Sequence, residues 1–473
     1  MGISTPPTAT TIGELRASGW LSVPVKEELR RNAMTRIAAG QPLFPNMHGY
    51  EETVVPQVEN ALLAGHDLIF LGERGQGKTR LIRSLVDLLD EWMPVIAGSE
   101  IQDDPYEPVS RHAKDLFADK GDATPITWVH RSDRFGEKLA TPDTSIADLI
   151  GEVDPIKVAE GRYLSDELTL HYGLVPRTNR GIFAINELPD LAERIQVGLL
   201  NVLEERDVQI RGYKIRLPLD VMLVASANPE DYTNRGRIIT PLKDRFGAQI
   251  RTHYPLDIET ELAVVHQEAR PVTVPTGMSV TVPDFMAEVV ATFSQLARQS
   301  PQVSQRSGVS VRLSVANYET LVAASLRRAL KGKESEAVPR VSDLESLAAS
   351  TQGKVEIETI DEREGNVIDR LLKASVLTVF KDRCKIDELR TAIQGFDGGM
   401  VVHTGDDIAS NDVVGVLANP DAEGLREAVY RLVGADASIP VKASAVEFLL
   451  EGLHLSKRLN KDAAGSKATY RAR

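Results

Sequence analysis

The segment Gly72–Thr79, with the sequence Gly-Glu-Arg-Gly-Gln-Gly-Lys-Thr, constrains the fold of this chain more than any other feature. It matches the pattern G-x-x-x-x-G-K-[ST] in full and follows the apolar run Asp67–Leu71. Glycines let the backbone curl so that its N–H groups face an anion. In this pattern the lysine reaches the β- and γ-phosphates of a nucleotide, and the threonine hydroxyl binds Mg²⁺. The segment therefore predicts a phosphate loop with ATP and Mg²⁺ as cofactors.

Every position of this phosphate loop is a candidate nucleotide contact. The predicted cofactor-binding residues are Gly72, Glu73, Arg74, Gly75, Gln76, Gly77, Lys78 and Thr79, and Thr79 is also a predicted metal ligand. The alternative is a glycine turn without a ligand. The strand-like run before the loop and the helical pattern Thr79–Trp92 after it favour nucleotide binding.

Apolar runs and helical patterns alternate along the first 270 residues. The strand-like runs are Asp67–Leu71, Ile126–Val129, Gly181–Ile185, Val221–Ala225 and Ala248–Ile250. Such alternation is typical of a parallel sheet covered by helices, so the predicted fold class is α/β. Residues 94–125 are polar and predict a long loop, whereas 284–299 and 314–330 predict helices. The basic end, Lys457–Arg473, predicts a solvated, disordered tail.

Length, charge and cysteine content narrow the class of protein. A chain of 473 residues is too long for one core and predicts several domains. The net charge of −13 argues against bulk binding to nucleic acid or to an anionic membrane, and no apolar run approaches the ~18 residues of a membrane span. The first residues do not resemble a signal peptide, and the single cysteine, Cys384, excludes an intramolecular disulfide. These features predict a cytoplasmic protein.

A polar pair, Asn186-Glu187, follows the strand-like run Gly181–Ile185. A phosphoryl-transfer site needs an acidic group at the end of a neighbouring strand, to hold Mg²⁺ or to orient water. The pattern makes the pair Asn186-Glu187 the candidate for these roles. The alternative is a strand end that carries two polar residues without chemistry.

Around this pair, from Asn179-Arg-Gly181 onwards, the chain resembles the AAA+ ATPases of the branch that contains the magnesium-chelatase ATPase subunit and the MoxR-type proteins. Further segments resemble the motifs of this branch in the same order. They are the helix Leu199–Val208, the hairpin-like runs Val208–Ile210 and Lys214–Leu217, the sensor 1 segment Val224–Glu230, the arginine-finger segment Pro241–Gly247 and the sensor 2 segment Ser310–Ser314. The resemblance covers roughly residues 45–330 and implies an ATPase.

The resemblance implies a role for each matched polar residue. Asn186 corresponds to the metal ligand, and Glu187 corresponds to the group that polarises the attacking water. Asn228 corresponds to sensor 1, and Arg312 corresponds to sensor 2. Arg245 corresponds to the arginine finger, which in this branch reaches the γ-phosphate held by a neighbouring subunit. The predicted catalytic residues are thus Glu187, Arg245, Asn228 and Arg312. A solvated surface role is the alternative for each arginine, and the rival candidates for these arginine roles are Arg177, Arg180, Arg235 and Arg237.

Asn186 departs from the branch, which usually carries aspartate at this position. Asparagine keeps a carbonyl oxygen but loses the negative charge that helps to hold Mg²⁺, usually through water. We therefore expect slow hydrolysis unless another acidic group compensates.

The resemblance, together with the changes in composition at Pro271–Pro275 and Lys331–Glu336, predicts the organisation of the chain. Residues 1–45 form an N-terminal tail and leading helix, 46–270 the AAA+ nucleotide-binding domain, 271–335 a helical lid, and 336–473 a mostly helical region with a basic tail. A homo-oligomeric ring is expected, because the arginine finger acts between subunits. This chain has no Asp-x-Ser-x-Ser run of the von Willebrand A type. A partner with that domain, common in this branch, is therefore expected on a separate chain.

Three functions follow from these patterns. The leading one is an ATP-driven motor or chaperone-like subunit that remodels a partner. A nucleotide-gated assembly scaffold with little hydrolysis is the alternative that Asn186 favours. An AAA+ protein that remodels nucleic acid is disfavoured by the net charge of −13. A monomeric small-molecule kinase also uses a phosphate loop, but it needs neither an arginine finger nor sensor 2.

Overall fold

The structure, a computed structural model, describes residues 5–153, 169–204, 207–209, 216–228, 236–304, 308–358, 364–464 and 467–473. It divides into two units, Met1–His253 and Tyr254–Arg473. Within the described ranges, no helix combines the length and the apolar character needed to cross a bilayer. The finer division into four domains remains a prediction.

The strands of the first unit are β1 (Leu68–Leu71), β2 (Trp92–Ile96), β3 (Ile126–His130), β4 (Phe135–Leu139), β5 (Gly151–Val153), β6 (Leu170–Tyr172), β7 (Gly181–Asn186), β8 (Asp207–Gln209), β9 (Arg216–Pro218), β10 (Val221–Ala227) and β11 (Ala248–Arg251). Five of them form a parallel sheet in the order β11-β1-β10-β7-β4. The strand β1 comes first in the chain, yet it lies between β10 and β11, the last two strands of this sheet in the chain. The predicted α/β class is confirmed.

The central strands of this sheet are buried on both faces, which explains their nearly continuous apolar sequences. In β7, Ile182 and Ala184 belong to the core on one face, and Phe183 and Ile185 belong to the core on the other. The strands β1 and β10 alternate in the same way. The sheet therefore separates two hydrophobic cores, and the polar residues of its central strands, Ser226 and Asn186, lie near the strand ends.

The α-helices of the first unit are Ile12–Ala17, Val25–Ala38, Val54–Ala64, Lys78–Ser84, Arg111–Lys120, Ile146–Leu149, Leu174–Arg177, Glu193–Glu204 and Thr240–Arg245. Its 3-10 helices are Leu85–Leu88, Gly121–Ala123, Arg131–Arg134 and Leu188–Asp190. The helix predicted over Thr79–Trp92 is too long, because its α-helical part ends at Ser84. The predicted loop at 94–125 is also wrong, since it contains most of β2 and the helix Arg111–Lys120.

The strand predicted at Ile126–Val129 forms, but it belongs to a different sheet from the one expected. As β3 it pairs with β2 in an antiparallel ribbon outside the parallel sheet. The fifth strand of the parallel sheet is β4, which the apolar pattern did not indicate because its sequence, Phe-Gly-Glu-Lys-Leu, carries two charges. An edge strand accepts such residues, because one side of it faces away from the sheet.

The second unit is mostly helical, as predicted. Its α-helices are Ile258–Glu268, Asp284–Gln299, Val311–Gly332, Leu347–Thr351, Glu364–Arg383, Arg390–Asp397, Ser410–Gly415, Glu423–Val433 and Ile439–Leu455. Its 3-10 helices are Val341–Ser346, Ile386–Leu389, Val416–Ala418 and Pro420–Ala422. They enclose a core centred on Phe285, Phe380 and Phe448, in which the rings of Phe285 and Phe448 lie 4.6 Å apart.

The end of the chain is folded, contrary to the prediction of a disordered tail. The strands of the second unit are β12 (Ser279–Val280), β13 (Glu336–Ala337), β14 (Val402–Gly405), β15 (Leu459–Ala464) and β16 (Lys467–Ala472). The last three form an antiparallel sheet in the order β14-β16-β15. Leu459 and Tyr470 are each 2% exposed, so this basic segment also has side chains that belong to the core.

Candidate functional site

The phosphate loop lies directly after β1 and curls as the glycine pattern predicts. Gly75 and Gly77 have φ angles of 76° and 75°, in the region that favours glycine. Gly77 precedes the helix Lys78–Ser84 and offers no side-chain acceptor to the first amides of that helix. Lys78 is only 6% exposed, and its Nζ donates to the carbonyl oxygens of Gly72 and Glu73 at 2.5 and 2.7 Å. The ammonium group is therefore held beside the loop backbone.

Three residues that the sequence did not indicate fix the loop in place. Tyr50 donates its hydroxyl to the carbonyl oxygen of Gln76 at 2.5 Å and lies 2.9 Å from that of His253. Burial raises the pKa of the Tyr50 phenol to about 12, so this hydroxyl remains a donor at neutral pH. Thr252, just after β11, donates to the Gln76 side chain at 2.7 Å. Tyr50, Thr252 and His253 thus connect the loop to the neighbouring strand, and nothing in their local sequence marks this role.

The loop begins beside the predicted sensor 1 residue. Leu71 is in register with Ala227 of β10, and the amide of Gly72 donates to the Ala227 carbonyl at 3.1 Å. Asn228 follows β10 directly and is 2% exposed. The start of the loop and Asn228 therefore lie at adjacent strand ends.

The pair Asn186-Glu187 lies at the end of β7, on the other side of β10. Asn186 is 8% exposed, and its Oδ1 accepts a hydrogen bond from Ser226 of β10 at 3.1 Å. Glu187 has a φ of 55°, a left-handed conformation that costs a non-glycine residue about 1–3 kcal/mol. Its amide donates to the same Ser226 hydroxyl at 3.3 Å. The serine therefore holds both residues of the pair at the end of the strand.

A carboxylate from the edge strand completes this group. Glu137 of β4 accepts a hydrogen bond from Asn186 Nδ2 at 2.5 Å. It also accepts two from Arg83, at 2.9 and 3.1 Å. Sequence reasoning missed Glu137 because it also missed β4. Ser226 lies inside the predicted sensor 1 segment, but its own role was not predicted, because nothing in the local pattern distinguishes this serine from its neighbours.

The structure brings the phosphate loop, Asn186, Glu187 and Asn228 to one edge of the sheet. The two predicted arginines lie on helices. Arg245 ends the helix Thr240–Arg245, is 39% exposed on its side chain and pairs with Asp244 at 3.4 Å. Arg312 is exposed near the start of the helix Val311–Gly332, which belongs to the second unit. Their assignments as arginine finger and sensor 2 remain predictions.

Three of the rival arginines have structural partners. Arg180 is 5% exposed, lies 3.2 Å from Asp104 and donates to the Pro94 carbonyl at 2.8 Å. Arg177 donates to the Tyr172 carbonyl at 2.9 Å. Arg237 lies 3.8 Å from Glu193 with its side chain 78% exposed, and Arg235 lies outside the described residues. The predicted hairpin is described at β8 and β9, whereas residues 210–215 between these strands are not described.

The residues at this edge suit a nucleotide with Mg²⁺. A buried lysine and a glycine-rich turn provide positive charge and backbone donors for phosphate oxygens. Thr79 offers a hydroxyl, and Asn186 and Glu137 offer oxygens of the kind that Mg²⁺ prefers. Among the described residues, no group of three or more His, Cys, Asp or Glu could hold a metal ion alone.

Comparison with known proteins points in the same direction. A family model described as the sigma-54 interaction domain matches residues 159–245. The magnesium-chelatase subunit ChlI of Nostoc sp. is 28% identical over 244 residues, which cover 50% of this chain and 62% of that subunit. The magnesium-chelatase 38 kDa subunit of Cereibacter sphaeroides is 29% identical over 235 residues, which cover 47% of this chain and 62% of that subunit. This chain thus spans less than two thirds of either relative.

A solved structure titled as a model of the complex between subunits BchI and BchD of magnesium chelatase aligns with 70% of this chain and 98% of that chain. The identity is 19% and the TM-score 0.35, and likeness at this level supports no conclusion about function. The likeness that counts is the sequence similarity, together with the parallel sheet and the loop at its edge. By these features the chain is similar to AAA+ ATPases of the magnesium-chelatase I-subunit type.

Proposed function

We propose that this chain is an ATP-hydrolysing AAA+ motor or chaperone-like subunit that remodels a partner protein. The observation that carries the proposal is the arrangement at one sheet edge. The phosphate loop follows β1, and Asn228, Asn186 and Glu187 lie at the ends of the next two strands. Parallel sheets bind ligands at the carboxyl ends of their strands, where the strand order reverses.

Each residue at this edge then has a chemical role. Lys78 and the backbone amides of Gly72–Thr79 bind the β- and γ-phosphates, and Thr79 and Asn186 contribute oxygens toward Mg²⁺. When bound, Mg²⁺ neutralises charge on the phosphate oxygens. Glu187 orients and polarises the attacking water, and Asn228 donates its amide toward the γ-phosphate. These roles rest on the motif pattern together with the geometry described above.

We extend the proposal to the assembled protein. Arg245 acts as an arginine finger from a neighbouring subunit of a homo-oligomeric ring, and Arg312 is the sensor 2 residue. The remodelled partner is a separate protein with a von Willebrand A-type domain, and the location is the cytoplasm. The support for these points is the order of motifs and the similarity to magnesium-chelatase subunits over about half of the chain.

A second candidate is a nucleotide-gated scaffold that binds ATP but scarcely hydrolyses it. The observation that favours it is Asn186, which carries no charge at a position where this branch usually has an aspartate. In this case binding alone would control assembly, and Glu187 would add little.

Steady-state phosphate release separates the two candidates. We expect release by the wild-type protein, with a specific rate that rises with protein concentration because the arginine finger acts between subunits. Glu187→Gln should bind ATP normally and lose nearly all release, since an amide cannot accept a proton from water as a carboxylate does. ATP binding without release by the wild type would favour the scaffold. A specific rate independent of protein concentration, in a monomeric protein, would contradict the ring.

A further inference from the structure

The hydrogen bonds of Asn186 show why an amide occupies this strand end. Its Oδ1 accepts from Ser226 of β10, and its Nδ2 donates to Glu137 of β4 at 2.5 Å. An aspartate here would offer no donor to Glu137 and would place two carboxylates at hydrogen-bond distance, which like-charge repulsion disfavours. Asparagine at 186 is therefore complementary to a carboxylate on the neighbouring strand.

Glu137 also contacts the helix Lys78–Ser84, which follows the turn of the phosphate loop. Its carboxylate accepts two hydrogen bonds from Arg83, which is one helical turn after Thr79. Side chains at positions i and i+4 lie on the same face of a helix. Arg83, which contacts Glu137, therefore lies on the same helix face as Thr79. The carboxylate of Glu137 thus lies between the phosphate-loop helix and the end of β7.

From these contacts we infer that Glu137 is the cation-site carboxylate, supplying from β4 the negative charge that Asn186 lacks. This inference rests on the proposed function, because the cation is the Mg²⁺ that accompanies ATP. Carboxylate oxygens are preferred by Mg²⁺, either directly or through its retained waters. Besides the oxygen that it contributes toward Mg²⁺, Asn186 then acts as a positioning residue, since its Nδ2 group holds the carboxylate toward the site.

A purely structural role for Glu137, as the partner of Arg83, makes a different prediction. The side chain of Arg83 is 63% exposed and that of Glu137 22% exposed. An ion pair of such exposure contributes little to stability. Arg83→Gln removes this pair but keeps the carboxylate, so it is the matched control for removal of the carboxylate itself.

The test is ATP binding by isothermal titration calorimetry, in EDTA and at increasing Mg²⁺, with a thermal melt for each variant. We expect Glu137→Gln to raise the Mg²⁺ concentration for half-maximal enhancement of binding by about 10-fold or more, as for other residues that support a metal site. Its ATP affinity in EDTA should match that of the wild type. The charge swap Glu137→Gln/Asn186→Asp restores one carboxylate and one amide, and should return the Mg²⁺ requirement most of the way. Arg83→Gln should stay within about two-fold of the wild type.

The outcomes separate this inference from the proposed function. Wild-type binding that Mg²⁺ strengthens, with an unchanged requirement in Glu137→Gln, overturns the inference and leaves the proposed function in place. An increase in the Mg²⁺ requirement of Arg83→Gln as large as that of Glu137→Gln also overturns the inference, since the ion pair between Arg83 and Glu137 would then cause the effect. If Glu137→Gln alone fails to fold, the charge swap decides, and a folded swap with a weakened Mg²⁺ response contradicts the inference. Wild-type protein that binds no ATP at any Mg²⁺ concentration overturns both.

Discussion

At the scale of single residues, the sequence and the structure reveal different parts of the site. The glycines, Lys78 and Thr79 are recognisable because the backbone curl and the phosphate charge demand those residue types in a fixed spacing. Tyr50, Thr252 and Glu137 are not recognisable in this way. They reach the site from other strands and loops, and a hydrogen bond between distant residues requires only a donor or an acceptor, without any local pattern.

Tyr50 offers a residue-scale test of how the loop is held. Tyr50→Phe removes the hydroxyl that contacts the carbonyls of Gln76 and His253, and the site is buried. We expect a loss of about 1–3 kcal/mol in the free energy of unfolding, because buried acceptors lose a donor. We also expect weaker ATP binding. Urea unfolding and calorimetry measure the two effects, and Tyr430→Phe, at a partly exposed tyrosine of the second unit, is the control. Unchanged ATP affinity in Tyr50→Phe would show that the hydroxyl does not shape the loop.

At the scale of elements, the buried strands were predictable, and the ends of elements were less so. The helix after the phosphate loop has apolar residues at helical spacing beyond Ser84, yet the α-helix stops there. Side chains of the leading helix Val25–Ala38 form hydrogen bonds with backbone groups of the segment after Ser84. Asn32 donates to the Leu88 carbonyl at 2.8 Å, and Glu28 accepts from the Asp90 amide at 2.6 Å. Such long-range contacts override local helical preference.

The leading helix is attached to the edge of the sheet by a buried ion pair. Arg134, just before β4, donates to Glu28 through two hydrogen bonds of 2.7 and 2.6 Å, and both residues are under 5% exposed. Arg134→Met should destabilise the protein by about 3–5 kcal/mol, because it leaves the Glu28 charge buried and unpaired. Arg134→Met/Glu28→Leu should recover most of this loss. Urea unfolding of the wild type, Arg134→Met, Glu28→Leu and the double variant measures the coupling, and simply additive effects of the two substitutions would contradict the pairing.

The folded end of the chain gives a second element-scale prediction. Tyr470 of β16 is 2% exposed and donates its hydroxyl to Glu451 at 2.5 Å, whereas its neighbour Arg471 is exposed and pairs with Asp462. We expect Tyr470→Ala to cost about 3–5 kcal/mol in stability and Arg471→Ala about 0.5 kcal/mol or less. Thermal or urea unfolding of each variant measures both changes in stability. Equal, small effects at the two positions would instead support the disordered tail that the basic composition predicted.

At the scale of the whole molecule, the proposal requires subunits to complete each other's active sites. Arg245→Ala should bind ATP but hydrolyse it about 10³-fold more slowly, because an arginine finger stabilises charge on the transferred phosphoryl group. Glu187→Gln should also be inactive. A mixture of the two should recover activity, since some interfaces then combine an intact Glu187 with an intact Arg245. Phosphate release from mixtures shown to co-assemble is the measurement, and a complete lack of recovery would exclude Arg245 as a finger.

The central claim is that this chain binds ATP through the phosphate loop, and calorimetric titration of ATP into Lys78→Ala tests it most directly. Lys120→Ala, at an exposed lysine ending the helix Arg111–Lys120, is the matched control. Charge-assisted contacts contribute about 1.5–3 kcal/mol each. We therefore predict that Lys78→Ala weakens ATP binding at least 10-fold while remaining folded, and that Lys120→Ala binds like the wild type. ATP binding by Lys78→Ala as tight as that of the wild type would contradict the account.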